Sequence, residues 1–146
     1  MEEKNSMNSL IPMMEGWFKG LPKLPASVVD FLVMIAPWLA LIFGILGVLG
    51  TLAALGILTA FAPLAMMGNV QGYGVGYIVI LGGLISSVLG IIAFPGLNAK
   101  KIGGWNLLFW SEIVSIVASV LSISIGGVIG TIIGFYILFQ IKSRYK

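Results

Sequence analysis

Long stretches without a charged residue are the feature of this sequence that most limits its fold. No Asp, Glu, Lys or Arg occurs in residues 31–67, 68–99 or 113–141. A membrane-spanning helix needs roughly 20 predominantly apolar residues, so each stretch is long enough to cross a bilayer. Only 9% of the 146 residues are charged, whereas a soluble domain carries about a quarter charged residues. The sequence therefore predicts an all-α integral membrane protein.

Missing residue types exclude several kinds of chemistry. The chain has no histidine and no cysteine, which removes the commonest metal ligands, thiolate nucleophiles and disulfides. Its five acidic residues are too few and too scattered for general acid–base pairs. The glycine-rich residues 72–76 lack the lysine of a phosphate-binding loop. We therefore expect no enzymatic activity, no metal and no other cofactor.

The basic residues predict the number of spans and their orientation. They fall in three groups, which are Lys4, Lys19 and Lys23, then Lys100 and Lys101, and finally Lys142, Arg144 and Lys146. With four spans, at about residues 28–52, 73–94, 104–121 and 126–141, all three groups lie on one side of the membrane. A fifth span within residues 31–67 would divide them. Because cytoplasmic loops are enriched in Lys and Arg, we predict a multi-pass protein of the cell membrane with both termini cytoplasmic.

The same groups indicate which partners to expect. Each lies at the end of an apolar stretch, and none forms a stripe interleaved with aromatic residues. The net charge of +3 is therefore explained by a lipid bilayer as the main partner, without nucleic acid.

Two parts are predicted, a cytoplasmic segment (residues 1–25) and a four-helix transmembrane domain (residues 26–146). Apolar residues of the first part recur on one face of a helix, at Met7, Leu10, Ile11, Met14, Trp17 and Phe18. A short interfacial amphipathic helix that starts near Ser9, with Pro12 in its first turn and Trp17 at headgroup depth, explains this pattern. A disordered tail is the alternative.

Two further segments have local predictions. Residues 53–72 exceed the first span and lie on the non-cytoplasmic side, either as a short interfacial helix or as a continuation of the first helix. At the start of the same span, the spacing of Ser27 and Asp30 is typical of a helix cap, so Asp30 is expected to be a capping carboxylate.

Small residues recur every fourth position on all four predicted spans. They are Ala36, Ala40 and Gly44, then Gly82, Ser86 and Gly90, then Ser111, Ser115 and Ser119, and finally Gly126, Gly130 and Gly134. This small-xxx-small spacing lets helix backbones approach closely. It favours packing within one four-helix bundle. Because three such faces are enough for four helices, one remains for a homo-oligomer, such as a homodimer, or for a larger membrane complex.

Glu112 is the one acidic residue deep inside a predicted span. It lies roughly 12 Å along the third span from Gly104, at about 1.5 Å per residue. An acid at this depth is a functional candidate by default, and desolvation favours its neutral form. Tyr136, Ser86 and Ser87 are expected at the same depth on other spans. Nearby, Trp105 is predicted to anchor the helix at the membrane interface.

Two functions fit these observations. The sequence favours a structural or accessory membrane component that packs with itself or a larger complex, in which Glu112 is a hydrogen-bonded link between helices. The alternative is a small proton-coupled transporter acting as a homo-oligomer, with Glu112 as its proton or cation site. Four spans and one membrane glutamate are similar in architecture to the small multidrug resistance transporters. In that family the essential glutamate lies on the first helix rather than the third, and no sequence motif is shared.

Overall fold

The computed structural model describes the backbone of residues 2–146 and the side chains of residues 9–146. Within this part the chain forms helices and no β-strand. They are α1 (Glu2–Phe18), α2 (Ala26–Ala60), α3 (Ala62–Gly68), α4 (Val70–Asn98), α5 (Ile102–Leu121) and α6 (Ile125–Ile141), with a final 3₁₀ turn, Lys142–Arg144. Four of the described helices, α2, α4, α5 and α6 with its 3₁₀ turn, are long and apolar enough to cross a membrane. The predicted helical class and the four candidate spans are confirmed.

The first two candidate spans are longer than predicted. α2 has 35 residues and α4 has 29, so α2 alone measures about 52 Å at 1.5 Å per residue. The segment expected beyond the first span, residues 53–72, combines a continuation of the first helix with a separate short helix. Its beginning continues α2, and its middle forms the short helix α3. Asn69 then starts α4, because its Oδ1 accepts a hydrogen bond from the Gly72 N–H at 3.0 Å.

The N-terminal helix begins earlier than predicted. α1 starts at Glu2 rather than near Ser9, so Pro12 lies inside the helix and not in its first turn. Residues 2–4 are Glu, Glu and Lys, which are good helix formers, and negative charge in a first turn complements the helix dipole. These preferences extend the helix, although proline lacks the N–H for one backbone hydrogen bond.

One side of α1 packs against α6. Met14 is buried, and the ring centroids of Phe18 and Phe139 lie 5.4 Å apart. Trp17, predicted to sit at headgroup depth, is 67% exposed on another side of the helix. Met7, which also belongs to the predicted apolar face, has a side chain outside the described residues.

The candidate spans pack in chain order. α2 lies along α4, α4 along α5, and α5 along α6, whereas α2 and α6 make few contacts with each other. We call the boundary between α2 and α6 the seam. Because the seam is sparsely packed, the bundle is held together mainly through the two central spans, α4 and α5.

Charged residues gather at one end of the bundle. This basic end is formed by α1, the start of α2, the α4–α5 turn and the residues after α6. There Lys142 pairs with Glu15 of α1, and Arg144 Nη1 lies 3.0 Å from Asp30 Oδ1. At the opposite end, α3 and the α5–α6 turn carry no lysine or arginine in the described chain. The side chain of Lys4 lies outside the described residues.

The predicted cap at Asp30 is replaced by this ion pair. α2 begins after Pro25, with no side-chain hydrogen bond to its cap, which places Asp30 past the first helical turn. Its carboxylate is 60% exposed and faces Arg144. Arg144 lies 114 residues after Asp30 in the chain. Local spacing carries no information about so distant a partner, so the sequence around Asp30 indicated only a helix cap.

Two tight turns connect the last three spans. Lys100 and Ile123 both have left-handed backbone conformations, with φ of 54° and 51°. In each turn the N–H of the left-handed residue and the N–H of the residue after it donate to carbonyl groups of the helix that has just ended, as in a Schellman motif. For the first turn these bonds are Lys101 N to Gly96 O at 2.8 Å and Lys100 N to Leu97 O at 3.0 Å. Glycine usually occupies this left-handed position after a helix. Because Lys100 and Ile123 stand there instead, both turns carry some backbone strain.

The hydrophobic core lies near the basic end. Its largest fully buried side chains are Trp105, Phe109, Phe135, Leu97 and Ile141. Trp105 was predicted as an interfacial anchor, but its ring is fully buried and stacks on Phe109 with centroids 5.6 Å apart. Its indole N–H donates to Leu138 O at 2.8 Å. The buried ring is stable there because this bond satisfies its one polar group.

Candidate functional site

A cavity of about 420 Å³ lies among the four candidate spans. Most of its wall consists of small or aliphatic side chains, among them Ala36, Ala40 and Gly90. Its volume falls within the range of about 300–1,000 Å³ that is typical of small-molecule sites. The cavity is bounded by both α2 and α6, so it adjoins the seam. A helical bundle with such a space can hold a ligand between its helices.

Glu112 lines this cavity from α5. Its carboxyl group lies against Gly134 of α6, because a Cβ atom placed on Gly134 would be 3.0 Å from Oε2 and 3.1 Å from Oε1. Among the described side chains, residues 9–146, none forms a hydrogen bond or ion pair with this carboxyl group. The absence of a side chain at Gly134 therefore makes room for the Glu112 carboxyl group at the wall of the cavity.

Serine side chains link α4 to α5 beside Glu112. Ser86 Oγ lies 2.9 Å from Ser111 Oγ and 2.7 Å from Ser115 Oγ. Ser111 Oγ also donates to Ser86 O at 2.9 Å. We call Ser86, Ser111 and Ser115 the serine cluster. It makes the kind of hydrogen-bonded link between helices that was predicted for Glu112.

Of the polar residues predicted near Glu112, the two serines line the cavity and the tyrosine does not. Ser86 and Ser87 line the same cavity as Glu112, although the Ser87 hydroxyl donates to Gly83 O of its own helix at 2.7 Å. Tyr136 is not among the residues lining the cavity, and its hydroxyl donates to Pro22 O at 2.6 Å. Counting residues from the helix ends gives depth but not the face of the helix, which explains the different place of Tyr136.

The small residues of the spans also differ in their surroundings. A Cβ on Gly44 would lie 2.9 Å from Ser87 O, on Gly90 3.4 Å from Ala40 O, and on Gly82 3.5 Å from Ala118 Cβ. These three glycines therefore lie where helices approach each other. By contrast, a Cβ on Gly126 or Gly130 would meet nothing within 4 Å. These two α6 glycines face away from the rest of the described chain.

On the third and fourth spans, the contacts of the remaining small residues are polar. Ser119 Oγ lies 2.7 Å from a Cβ placed on Gly127, so it contacts α6. Ser115 belongs to the serine cluster, and Gly134 contacts Glu112. Ser111 was noted in the sequence only for its small size, and its hydrogen bonds could not be foreseen without knowing which side of α5 faces α4.

Comparison with known proteins adds no functional assignment. No known protein family matches the sequence, and no curated protein or solved structure shows a significant match. Among the described residues, no group of three or more His, Cys, Asp or Glu side chains is placed to hold a metal ion. Function is therefore inferred from the cavity and its carboxyl group.

Proposed function

We propose that this chain is a small proton-coupled membrane transporter in which Glu112 binds a proton and a cationic substrate in turn. The observation that supports this proposal is the Glu112 carboxyl group, which faces a cavity among all four candidate spans without a described protein partner. An acid inside a membrane is costly. An acid that only joined helices would be expected to have a hydrogen-bond partner, and here the serine cluster supplies that link instead.

The lining of the cavity favours a lipophilic cation as substrate. Leu39, Phe43 and Ile137 supply apolar surface for the body of such a molecule, while the ionised Glu112 carboxylate would attract its charge. Protonation neutralises the carboxylate and removes this attraction. The proton and the cation therefore compete for one group, and their alternation couples the movement of one to that of the other.

Membrane orientation and assembly form part of the proposal. The excess of Lys and Arg at the basic end favours a cytoplasmic location for that end in the cell membrane, with both termini inside. The outward-facing Gly126 and Gly130 would allow close approach of a helix from a second copy. The same two glycines favour the second candidate function, a structural or accessory component of a larger membrane complex.

Substitution of Glu112 by glutamine tests the transporter proposal. Glutamine keeps the size and polarity of the side chain but cannot exchange a proton. In weakly buffered detergent solution, we expect wild-type protein to release protons when tetraphenylphosphonium is added, across a series of pH values. The Glu112→Gln protein should fold normally, release none and bind the cation at least about tenfold more weakly, a loss of about 1.4 kcal/mol.

Glu15→Gln is the matched control, because Glu15 pairs with Lys142 at the basic end and lies outside the cavity. It should bind the cation as the wild type does. Equal cation binding by the wild-type and Glu112→Gln proteins would contradict the proposal and favour the accessory function.

A pair of glycine substitutions tests whether the position of the carboxyl group matters. Gly134→Ala would place a methyl group 3.0–3.1 Å from the Glu112 carboxyl atoms, whereas Gly130→Ala, one turn earlier, meets nothing within 4 Å. Both changes favour a helix by up to about 1 kcal/mol. We expect Gly134→Ala to weaken tetraphenylphosphonium binding several-fold and Gly130→Ala to leave it unchanged. Identical affinities for the two variants would show that this contact does not orient the acid.

A further inference from the structure

We propose that the basic end carries a binding site for the headgroup of an anionic phospholipid. This site is separate from the Glu112 cavity and does not depend on the transport proposal. It is a second cavity, of about 1010 Å³, between the first turns of α2, the α4–α5 turn and the residues after α6. The charge of the cavity, the rigidity of its rim and the apolar wall beneath it all support this proposal.

Positive charge dominates the rim of the cavity. Its lining includes Lys100, Lys101, Arg144 and Lys146, against a single acidic residue, Asp30. Asp30 is paired with Arg144, and both side chains remain substantially exposed. The side chains of the lining therefore carry an excess of three positive charges, from four bases and one acid. Lysine and arginine donate several hydrogen bonds to phosphate oxygens, so the rim suits a phosphate group.

Hydrogen bonds hold the backbone of the three rim lysines. Lys100 holds a left-handed conformation that glycine usually takes at this position, which costs some strain. The C-terminal residues clamp the turn on its outer side, because Lys146 N donates to Lys100 O at 3.0 Å and Ile102 N donates to the main-chain oxygen of Lys146 at 2.8 Å. Three of the four basic residues of the rim thus belong to one hydrogen-bonded unit, and a ligand would not have to order this backbone.

Below the charged rim lies an apolar wall. Met34 and Trp38 of α2 line the cavity and are 63% and 56% exposed. Trp38 is held in place by an edge-on contact with Phe94, at 5.5 Å between ring centroids. From Asp30 to Trp38 the helix runs about 12 Å further into the membrane region. A phospholipid has the same arrangement, with charge at the end and acyl chains below it, whereas free phosphate would use only the rim.

Lipid binding to purified protein tests the site. We expect native mass spectrometry in detergent to show dioleoyl phosphatidylglycerol bound at least about tenfold more tightly than dioleoyl phosphatidylcholine. The double substitution Lys100→Gln and Lys101→Gln should weaken phosphatidylglycerol binding by about tenfold or more, since each nearby lysine contributes about fivefold. Lys19→Gln with Lys23→Gln is the matched control, because it removes the same charge from the basic end but lies outside this cavity.

A third substitution should strengthen binding. Asp30→Asn removes the one repelling carboxylate and frees Arg144 from its ion pair, so phosphatidylglycerol affinity should rise several-fold. Inorganic phosphate at millimolar concentration should not displace the lipid. The proposal is overturned if both double variants lose affinity equally, if Asp30→Asn weakens binding, or if inorganic phosphate competes fully. Unchanged thermal unfolding of each variant would show that the altered binding is not a folding defect.

Discussion

Replacing Glu112 with leucine is expected to stabilise the folded protein by about 1–3 kcal/mol and to abolish cation binding. The reason is that the carboxyl group lies in a mostly apolar cavity without a described partner, and burying an unpaired polar group costs about that much free energy. Leucine has a similar size and fills the same space with apolar atoms. Stability gained at the expense of activity is the usual result when a functional polar group is removed.

Unfolding in mixed detergent micelles measures the stability of this variant. The control is Ser86→Ala, which breaks the serine cluster and should destabilise the protein by roughly 0.6–1.5 kcal/mol, as for other hydrogen bonds within membranes. If Glu112→Leu raises the free energy of unfolding and Ser86→Ala lowers it, Glu112 is a cavity-facing acid and not a structural link. If Glu112→Leu destabilises the protein as Ser86→Ala does, Glu112 holds helices together and the transporter proposal fails.

A larger loss of stability is expected from Gly104→Ala. At the start of α5 the backbones of α4 and α5 approach so closely that a Cβ on Gly104 would overlap Leu97 N and Gly96 C, and one on Gly96 would lie 2.7 Å from Gly104 Cα. Backbone atoms cannot move aside as a flexible side chain can. We therefore expect a loss of about 3 kcal/mol or more, near the upper end for single substitutions, and little folded protein.

Gly103→Ala provides the comparison, since it is the neighbouring residue and its Cβ would meet nothing within 4 Å. It should fold with a normal yield, as judged by monodispersity in detergent and by thermal unfolding. Similar yields for the two alanine variants would mean that the backbones of α4 and α5 do not approach this closely at Gly104.

Hydropathy and the placement of charge were sufficient to predict the helical class and the four candidate spans. They could not predict how each helix is rotated about its axis. For that reason Trp105 was expected at the membrane interface but is buried in the core. Tyr136 was expected at the depth of Glu112, but its hydroxyl donates to Pro22 O. Uniformly apolar helices carry little information about which side faces a neighbour, because lipid and protein interiors are equally apolar.

Within the candidate site, the glutamate itself was evident from the sequence because a charged residue in an apolar span is rare. The residues that surround Glu112 could not be predicted in the same way. The space for Glu112 beside Gly134 depends on how α5 packs against α6. The ion pair of Asp30 depends on the residues after α6 lying next to the start of α2. Both arise from contacts between distant parts of the chain, which local spacing does not encode.

The sparse packing at the seam between α2 and α6 has a consequence for how affinity should be understood. In the proposed membrane location, a molecule that enters the Glu112 cavity through the seam would arrive from the lipid, not from the aqueous phase. Its effective concentration is then its aqueous concentration multiplied by its partition coefficient into the bilayer. Two cations that fit the cavity equally well would therefore differ in apparent affinity by the ratio of their partition coefficients, so selectivity would belong in part to the membrane.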